Sequence, residues 1–336
     1  MTEDGQGGPS GPGLPDRSAQ GGIPPSEQGG ASGPGLPDRS PQGGTPPSKG
    51  QRVRVVVASS TCLTREQAQE LGITLVPLRL SVNGKDYRDM IDISPGEVYQ
   101  LLRRRVIPTT ASPSLGDYKT AFEAAPGPVL CLTVGSRISA MDQAAGLAAE
   151  AAGRGPVEIV ETGTAAGGLR LVALAAARLA ATGMGLHELS SRVREISSRV
   201  EMAGMLETVE FLARSGRVPE VAHWGSSVLR VRPVIRFLGG KGSLVTLVRS
   251  PLRGIGELEK LVHENARRQG AGPRGERLVC TVFHGDALQL AEQLYHRLLQ
   301  SFPEADLSLS EMTSAMAVHV GPGVVGQAMY VEPSAA

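Results

Sequence analysis

The stretch that decides the fold is residues 128–152, which read PVLCLTVGSRISAMDQAAGLAAEAA. Its first seven residues form an apolar run, which predicts a strand buried on both faces, and the alanine-rich part from Ser139 to about Ala152 predicts a helix. The same order of strand and helix recurs at Val53–Ala58 with Arg65–Leu71 and at Val157–Val160 with Gly168–Ala181. Repeated strand–helix pairs favour a parallel sheet with helices on both faces.

The pattern changes after residue 184. A helix is predicted over Leu186–Arg199, and two strands at Val234–Leu238 and Leu244–Val248 flank a glycine-rich turn as an antiparallel hairpin. The later segments predict a second α/β layer with a mixed or antiparallel sheet. We therefore expect an α/β protein with two lobes. The first lobe, at about residues 52–165, is Rossmann-like with a parallel sheet, and the second lobe occupies about residues 166–333.

Residues 1–51 differ from the rest in composition. The sequence Ser-Gly-Pro-Gly-Leu-Pro-Asp-Arg-Ser occurs at Ser10–Ser18 and again at Ser32–Ser40, and glycine and proline follow each copy. This segment has little to bury, and both residue types oppose helices and sheets, so we expect a disordered tail. The tail has neither the strict spacing of collagen nor the basic start and apolar centre of a secretory signal.

Composition argues against several classes of function. The net charge is +1 and aromatic residues make up 3% of the chain, which argues against nucleic-acid binding. No apolar run approaches the roughly 20 residues of a membrane span, so stable membrane insertion is not expected. Cys62, Cys131 and Cys280 lie far apart, which predicts neither a disulfide framework nor a zinc site. The expected location is the cytoplasm.

Three loops carry small polar residues beside apolar strands: Pro108–Ser114, Gly135–Met141 and His319–Gly323. They offer hydroxyls, backbone N–H groups and one imidazole, without a metal cage, a phosphate loop or a thiol–imidazole pair. Such a set can hold an anionic head group without performing chemistry on it. The loops therefore favour a binding protein over an enzyme that acts alone.

Each candidate residue in these loops also has an ordinary structural role. Ser139 can bind an anion at a helix start, or it can cap that helix in a capping box with Asp142. Thr110 can bind a ligand or stabilise a turn. His319, expected on a loop with little cover, can donate to an anion or satisfy a nearby carbonyl.

Other motifs have weaker signals. Arg217 and Arg249 are expected in loops, where solvated charge is the ordinary interpretation and contact with phosphate or a partner's carboxylates is the alternative. Cys62 follows a strand and could be a nucleophile, although no histidine is near it in sequence. The run Gly239–Ser243 superficially suggests a phosphate loop, but strands flank it on both sides, which predicts a hairpin turn.

Taken in order, these segments resemble the DegV family of bacterial fatty-acid-binding proteins. The similarity extends from about Val53 to Glu332, and it rests on the order and spacing of many short motifs rather than on one decisive motif. These motifs are Ser60–Cys62, Leu71–Leu78, Gly84–Asp89, Asp92–Pro95, Pro108–Thr110, Leu206–Leu212, Ser215–Val218, Arg232–Ile235 and His319–Gly323.

The resemblance implies a DegV domain over residues 52–333, with a long-chain fatty acid such as palmitate in a buried tunnel. It implies that Thr110, Ser139 and His319 hold the carboxylate, and that no metal, cofactor or catalytic residue is involved. It also implies that a separate fatty acid kinase receives the presented ligand. Arg217 and Arg249 match arginines implicated in that docking or in phosphate contact.

Two other functions stay open at this stage. The family's first lobe is similar to that of dihydroxyacetone kinases, so a phosphotransferase-like enzyme is the main alternative. That activity needs metal-binding carboxylates at strand ends, and Ser59 stands where the most useful one would be. The other alternative is a regulatory or scaffold protein that binds a partner through the repeated tail.

This chain departs from the family pattern at several positions. Ser59 replaces an aspartate, Ala140-Met141 replaces Gly-Thr, and Val320 replaces a threonine. Asp142 places negative charge in the first turn of the expected helix, where it opposes a bound carboxylate. These changes imply an altered head-group site within a retained fold.

Overall fold

The computed structural model describes residues 52–153, 155–218 and 231–333, and the repeated tail at residues 1–51 lies outside them. The strands are β1 (Arg54–Ala58), β2 (Ile73–Val76), β3 (Arg79–Val82), β4 (Lys85–Arg88), β5 (Thr109–Ala111), β6 (Val129–Thr133), β7 (Val157–Glu161), β8 (Glu201–Met205), β9 (Arg232–Leu238), β10 (Lys241–Val248), β11 (Leu278–Gly285), β12 (Asp306–Glu311) and β13 (Val324–Val331). The helices are α1 (Arg65–Glu70), α2 (Pro95–Arg103), α3 (Leu115–Glu123), α4 (Met141–Ala151), α5 (Ala166–Ala181), α6 (Leu186–Arg199), α7 (Glu210–Ser215), α8 (Pro251–Arg268), α9 (Leu288–Ser301) and α10 (Ser314–Val320).

The first sheet has the strand order β2-β1-β6-β7, and every neighbouring pair is parallel. Apolar side chains on both faces explain why its central strands are fully covered, with Val56, Leu130 and Leu132 at 0% exposure. The predicted parallel β–α units are confirmed. From β1 the chain continues to β2 on one side, whereas β6 and β7 lie on the other. The carboxyl ends of β1 and β6 therefore border a switch in strand order, where open α/β sheets bind ligands.

A separate antiparallel sheet contains three short strands in the order β4-β3-β5. Asn83 and Gly84 have φ of 50° and 81° and form the turn between β3 and β4, as the Asn-Gly pair predicts. Thr110, expected in a loop, lies instead in the edge strand β5, opposite Leu80. A strand of three residues is too short to show a period in sequence, so only its pairing with β3 reveals it.

The third sheet has six strands in the order β10-β9-β8-β13-β11-β12. All its pairs are antiparallel except β11–β12, so the expected second layer is a mixed sheet. The chain turns from β9 to β10 at Gly239 and Gly240, whose φ values are 54° and 75°. The glycine-rich run is therefore a hairpin turn and not a phosphate loop.

Helix α5 packs on strands of both larger sheets, namely β1, β11 and β13. Twelve of its 16 residues are buried, as expected for a helix that is apolar all round. Burying one leucine such as Leu169 contributes about 1.5–3 kcal/mol. Close approach to β11 needs a glycine at position 167, because a Cβ at Gly167 would lie 2.3 Å from Cδ1 of Phe283. Helix α5 thus forms the centre of the largest apolar cluster.

Several helices begin where capping residues predict. Ser94 accepts a hydrogen bond from the Glu97 amide, and the Glu97 carboxylate accepts one from the Ser94 amide, which confirms the predicted capping box of α2. Ser114 and Asp117 form the same arrangement at α3. In the described parts of the chain, no helix has the length and apolar character needed to cross a membrane.

Candidate functional site

A cavity of about 140 Å³ lies at the carboxyl ends of β1 and β6 and extends to the mixed sheet. This volume is many times the roughly 10–15 Å³ that a single water needs. The first sheet contributes Val134, which follows β6, and Ser60, which follows β1. The mixed sheet contributes residues of β8, β9, β11 and β13. The remaining wall comes from β5, from α7 and α10, from the N-terminal ends of α4 and α5, and from loops between these elements. The cavity therefore lies at the switch in strand order.

Most of the wall is apolar. Four methionines, two phenylalanines and several smaller apolar side chains line it. Methionine is flexible and polarisable, so it adapts to ligands of different shape. The methionines and phenylalanines are Met141, Met202, Met312, Met316, Phe237 and Phe283.

Two hydrogen-bonded pairs interrupt this apolar wall. Thr110 Oγ1 lies 2.9 Å from Nε2 of His319, and Ser112 Oγ lies 3.0 Å from Oγ of Ser139. All four residues line the cavity. The first pair joins residues 209 positions apart in sequence. The three residues that the sequence singled out for a carboxylate thus meet in one cavity, and Ser112 joins them.

The imidazole of His319 is neutral at physiological pH. Burial, and to a smaller extent the nearby positive charge of Arg217, together lower its pKa from 6.5 to about 4. A neutral imidazole has one N–H group, so either Thr110 donates to Nε2 or Nε2 donates to Thr110. In the first case Nδ1 carries the free proton, and in the second the Thr110 hydroxyl does. Nδ1 has no partner among the described residues, so one donor is available to a ligand in either case.

Two expectations about local structure are corrected. His319 lies in the last turn of helix α10, half-buried, and not on a loop with little cover. Helix α4 begins at Met141 after Ala140 as N-cap, and no side chain caps it, so the capping box of Ser139 with Asp142 is wrong. The Ser139 hydroxyl bonds Ser112 instead. The helix starts later because residues 135–138 form a turn first, closed by the bond from the Ile138 amide to the Gly135 carbonyl.

The two arginines are in different positions. Arg217, exposed after α7, lines the cavity, and it is the only charged residue in that wall within the part of the chain that the structure describes. Arg249 is exposed immediately after β10 and does not line the cavity. The structure therefore brings Arg217 to the polar pairs and leaves Arg249 outside the cavity.

A buried carboxylate fixes the helix that carries His319. Asp89, 1% exposed, accepts hydrogen bonds from Ser59 Oγ at 2.5 Å and from the Ala315 amide at 3.0 Å, in the first turn of α10. Burial raises the pKa of Asp89, although these hydrogen bonds oppose the rise. Ser59 also accepts from the Leu78 amide at 3.0 Å. Ser59 thus has a structural role, connecting β1 to α10 through Asp89.

The described residues lack two features of nucleophilic or metal catalysis, a reactive thiolate at Cys62 and a cluster of metal ligands. Burial raises the pKa of the Cys62 thiol to about 12, so Cys62 is a protonated, buried side chain at neutral pH. In the described ranges, no group of three or more histidine, cysteine, aspartate or glutamate side chains is placed to hold a metal ion.

Two polar residues of the cavity wall, Ser60 and Ser112, were not identified as site residues from sequence. Ser112 is two positions after Thr110, and side chains two apart share a face of a strand, so recognising β5 would have predicted it. Ser60 follows β1 and is adjacent to Ser59, which the sequence analysis singled out. The Oγ of Ser60 is buried with no hydrogen-bond partner in the described residues. Only the fold shows that Ser60 borders the cavity.

A family model described as "Uncharacterised protein, DegV family" matches residues 52–332. The chain belongs to the DegV family. A DegV domain-containing protein of Streptomyces coelicolor is 28% identical over 281 residues, which cover 82% of this chain and 97% of that protein. The family's α/β fold, with its parallel and mixed sheets, is therefore the fold of this DegV protein.

Solved structures of the family agree with this assignment. A DegV family protein from Thermus thermophilus, described as fatty acid binding, is 26% identical with a TM-score of 0.76 and covers 84% of this chain and 100% of that one. DegV from Bacillus subtilis has a TM-score of 0.75 at 19% identity, with the same coverage, and it supports the fold alone.

Proposed function

We propose that this DegV protein binds a long-chain fatty acid, with the carboxylate at Thr110, Ser139 and His319. One observation carries the proposal: these three side chains and Ser112 form two hydrogen-bonded pairs in the wall of an otherwise apolar cavity. The Thermus thermophilus relative, described as fatty acid binding, supports the ligand class.

The electrostatics of the cavity suit an acid with a long apolar chain. Hydroxyls and a neutral imidazole donate to a carboxylate without burying a cation, and Arg217 supplies positive charge at one side. Each buried CH₂ contributes about 0.8 kcal/mol, so a chain of roughly sixteen carbons contributes on the order of 10 kcal/mol before the costs of association. The acyl chain supplies affinity, and the polar pairs supply orientation.

The protein acts in this proposal as a carrier and not as an enzyme. The fatty acid is the only ligand proposed, and a separate fatty acid kinase receives it, with Arg217 and Arg249 at the docking surface or the phosphate. The two arginines are exposed, which makes them accessible to a partner. The cytoplasmic location and the lobe boundary near residue 165 stay predictions from sequence.

The proposal is tested by native mass spectrometry and palmitate titration of the purified full chain. We expect a co-purifying fatty acid, with affinity reduced about 10-fold or more in Thr110→Ala and Ser139→Ala, because each variant removes a donor to a charged group. Ser136→Ala, in the exposed part of the same loop as Ser139, is the control. A wild-type chain that binds no fatty acid contradicts the proposal.

The carrier role has its own test. We expect Arg249→Ala to retain fatty acid and Arg217→Ala to bind it more weakly, while a cognate kinase phosphorylates the ligand presented by either variant more slowly. Nucleotide- and metal-dependent turnover by the isolated chain would instead support the phosphotransferase alternative. If deletion of residues 1–51 leaves lipid binding unchanged, the regulatory or scaffold alternative would apply to the tail alone.

A further inference from the structure

The wall of the cavity contains a third group of polar atoms that the two hydrogen-bonded pairs do not use. Ser60 is 1% exposed and lines the cavity, and its Oγ has no hydrogen-bond partner within the described residues. Removing a hydroxyl from water without a hydrogen bond is unfavourable. An apolar residue would avoid this cost, so the position of Ser60 requires an explanation.

Helix α5 packs on β1, the strand that ends two residues before Ser60. Because α5 follows β7 directly, its N-terminus lies at the same edge of the parallel sheet at which β1 ends. Its N-cap, Ala165, provides no side-chain hydrogen bond, and both Ala165 and Ala166 line the cavity. The first amides of α5 with backbone acceptors are those of Gly168 and Leu169, so the amides of Ala166 and Gly167 have no acceptor in the described parts of the chain.

These observations combine into one set of donors. The hydroxyl of Ser60 lines the same cavity as the first turn of the 16-residue helix α5, where two free amides and the helix dipole provide partial positive charge. Ser60 bonds to neither Thr110–His319 nor Ser112–Ser139, so the set is separate from both pairs. What these donors lack is an acceptor.

We propose that Ser60 and the first-turn amides of α5 form an oxygen-binding subsite inside the acyl cavity. The ligand group is an acceptor oxygen of the bound acyl molecule: either a hydroxyl or oxo group along the chain, or a carboxylate oxygen. The subsite rests on the proposed function, since it needs an acyl ligand in this cavity. For an oxygen on the chain, the subsite adds selectivity at a second place in the ligand; for a carboxylate oxygen, it adds further donors to the head group.

The test compares stearate with hydroxystearates that carry the hydroxyl near mid-chain, using wild type and Ser60→Ala. If the oxygen is on the chain, Ser60→Ala weakens binding of a hydroxystearate about 3- to 10-fold and leaves stearate unchanged. If the oxygen belongs to the carboxylate, the variant weakens all of these acids alike. Unchanged affinity for every ligand overturns the subsite.

The thermal stability of the ligand-free protein provides a second test, because Ser60→Ala should not lower it even though the variant weakens ligand binding. Deleting an unpartnered hydroxyl removes its desolvation cost, so the Tm of ligand-free Ser60→Ala equals or exceeds that of wild type. A lower Tm would mean that the hydroxyl bonds within the protein, and would overturn the subsite. Ser197→Ala is the matched control, because the Ser197 hydroxyl is also buried and unpartnered but lies on α6, away from the cavity.

A second measurement does not depend on a substitution. In NMR spectra, binding of the acyl ligand should move the amide proton signals of Ala166 and Gly167 downfield, as expected when these donors gain an acceptor. Signals that do not move overturn the subsite even if affinity changes. If the wild-type chain binds none of the acids, both the subsite and the proposed function are contradicted; if it binds stearate through Thr110 and Ser139 alone, only the subsite is.

Discussion

At the scale of single residues, His319 shows how tertiary structure changes the chemistry of a side chain. In sequence it precedes Gly-Pro-Gly and is expected to be open to solvent. In the structure it is half-buried beside Thr110, and burial together with Arg217 holds its pKa near 4. In the proposed site the imidazole would therefore donate to the ligand as a neutral group, and a bound carboxylate would raise its pKa again because opposite charge stabilises the protonated form.

This shift predicts how stability depends on pH. Between about pH 6.5 and 4 the unfolded chain binds more protons at His319 than the folded protein does, so the free energy of unfolding falls as pH falls through this window. We expect His319 to account for about 1–3 kcal/mol of that loss. His284, whose pKa burial also lowers, contributes in the same direction.

Urea denaturation across this pH range provides the measurement. His319→Asn should make the dependence on pH shallower, while the same substitution at the exposed His296 serves as control. An equally steep loss of stability in His319→Asn would contradict the prediction.

At the scale of elements, helix α10 is short, and its position depends on contacts outside the helix. Asp89 accepts from its first turn, and Ser314 Oγ donates to the carbonyl of Ile93 at 2.9 Å. Three cavity-lining residues, Met316, His319 and Val320, lie on this helix. A helix of seven residues is not stable by itself in water, so these buried hydrogen bonds place His319 in the cavity.

Asp89→Ala should therefore affect both stability and binding. It leaves Ser59 Oγ and the Ala315 amide without an acceptor, and we expect the free energy of unfolding to fall by about 2–4 kcal/mol. Palmitate affinity should fall as well, since α10 loses its anchor. Asp86→Ala, at an exposed position of β4, is the control for chemical denaturation and for titration. Stability within about 0.5 kcal/mol of wild type would refute the role of Asp89.

Replacing two helix glycines by alanine should change the stability of the protein in opposite directions. A Cβ at Gly167 of α5 would lie 2.3 Å from the Phe283 ring, so Gly167→Ala should destabilise the protein by about 1–3 kcal/mol through overpacking. At Gly256 of α8 nothing lies within 4 Å, and Gly256→Ala should stabilise it by about 0.5–1 kcal/mol because alanine favours the helix. Thermal unfolding of both variants tests this prediction. A Tm that changes in the same direction in both variants would contradict it.

At the scale of the whole molecule, the cavity is formed by residues that follow strands of the parallel sheet, by residues of the other two sheets and by helices between them. No single element contains the candidate site, so a ligand would contact the full set of residues only in the folded state. A ligand that binds only the folded state adds about 2.7 kcal/mol at a hundredfold excess over its Kd.

We therefore expect palmitate to raise the Tm of wild type in a concentration-dependent way, and to raise that of Thr110→Ala less at the same concentration. Deleting residues 1–51 should leave the shift in place, because the matched family region begins at residue 52. A Tm that does not respond to palmitate in the full chain would argue against binding within this cavity.

Sequence by itself determined the local pattern of this protein. Strand–helix alternation predicted the parallel sheet, Asn83-Gly84 predicted a hairpin and Ser94–Glu97 predicted a helix start, because each signal depends on neighbours a few residues apart. Ordered motifs also identified the family. Only the tertiary structure decided that Thr110 pairs with His319, that Ser139 bonds Ser112 instead of capping α4, and that Ser60 faces the cavity. These contacts join distant parts of the chain, and burial and hydrogen-bond partners at such contacts are set by packing, on which local sequence carries no information.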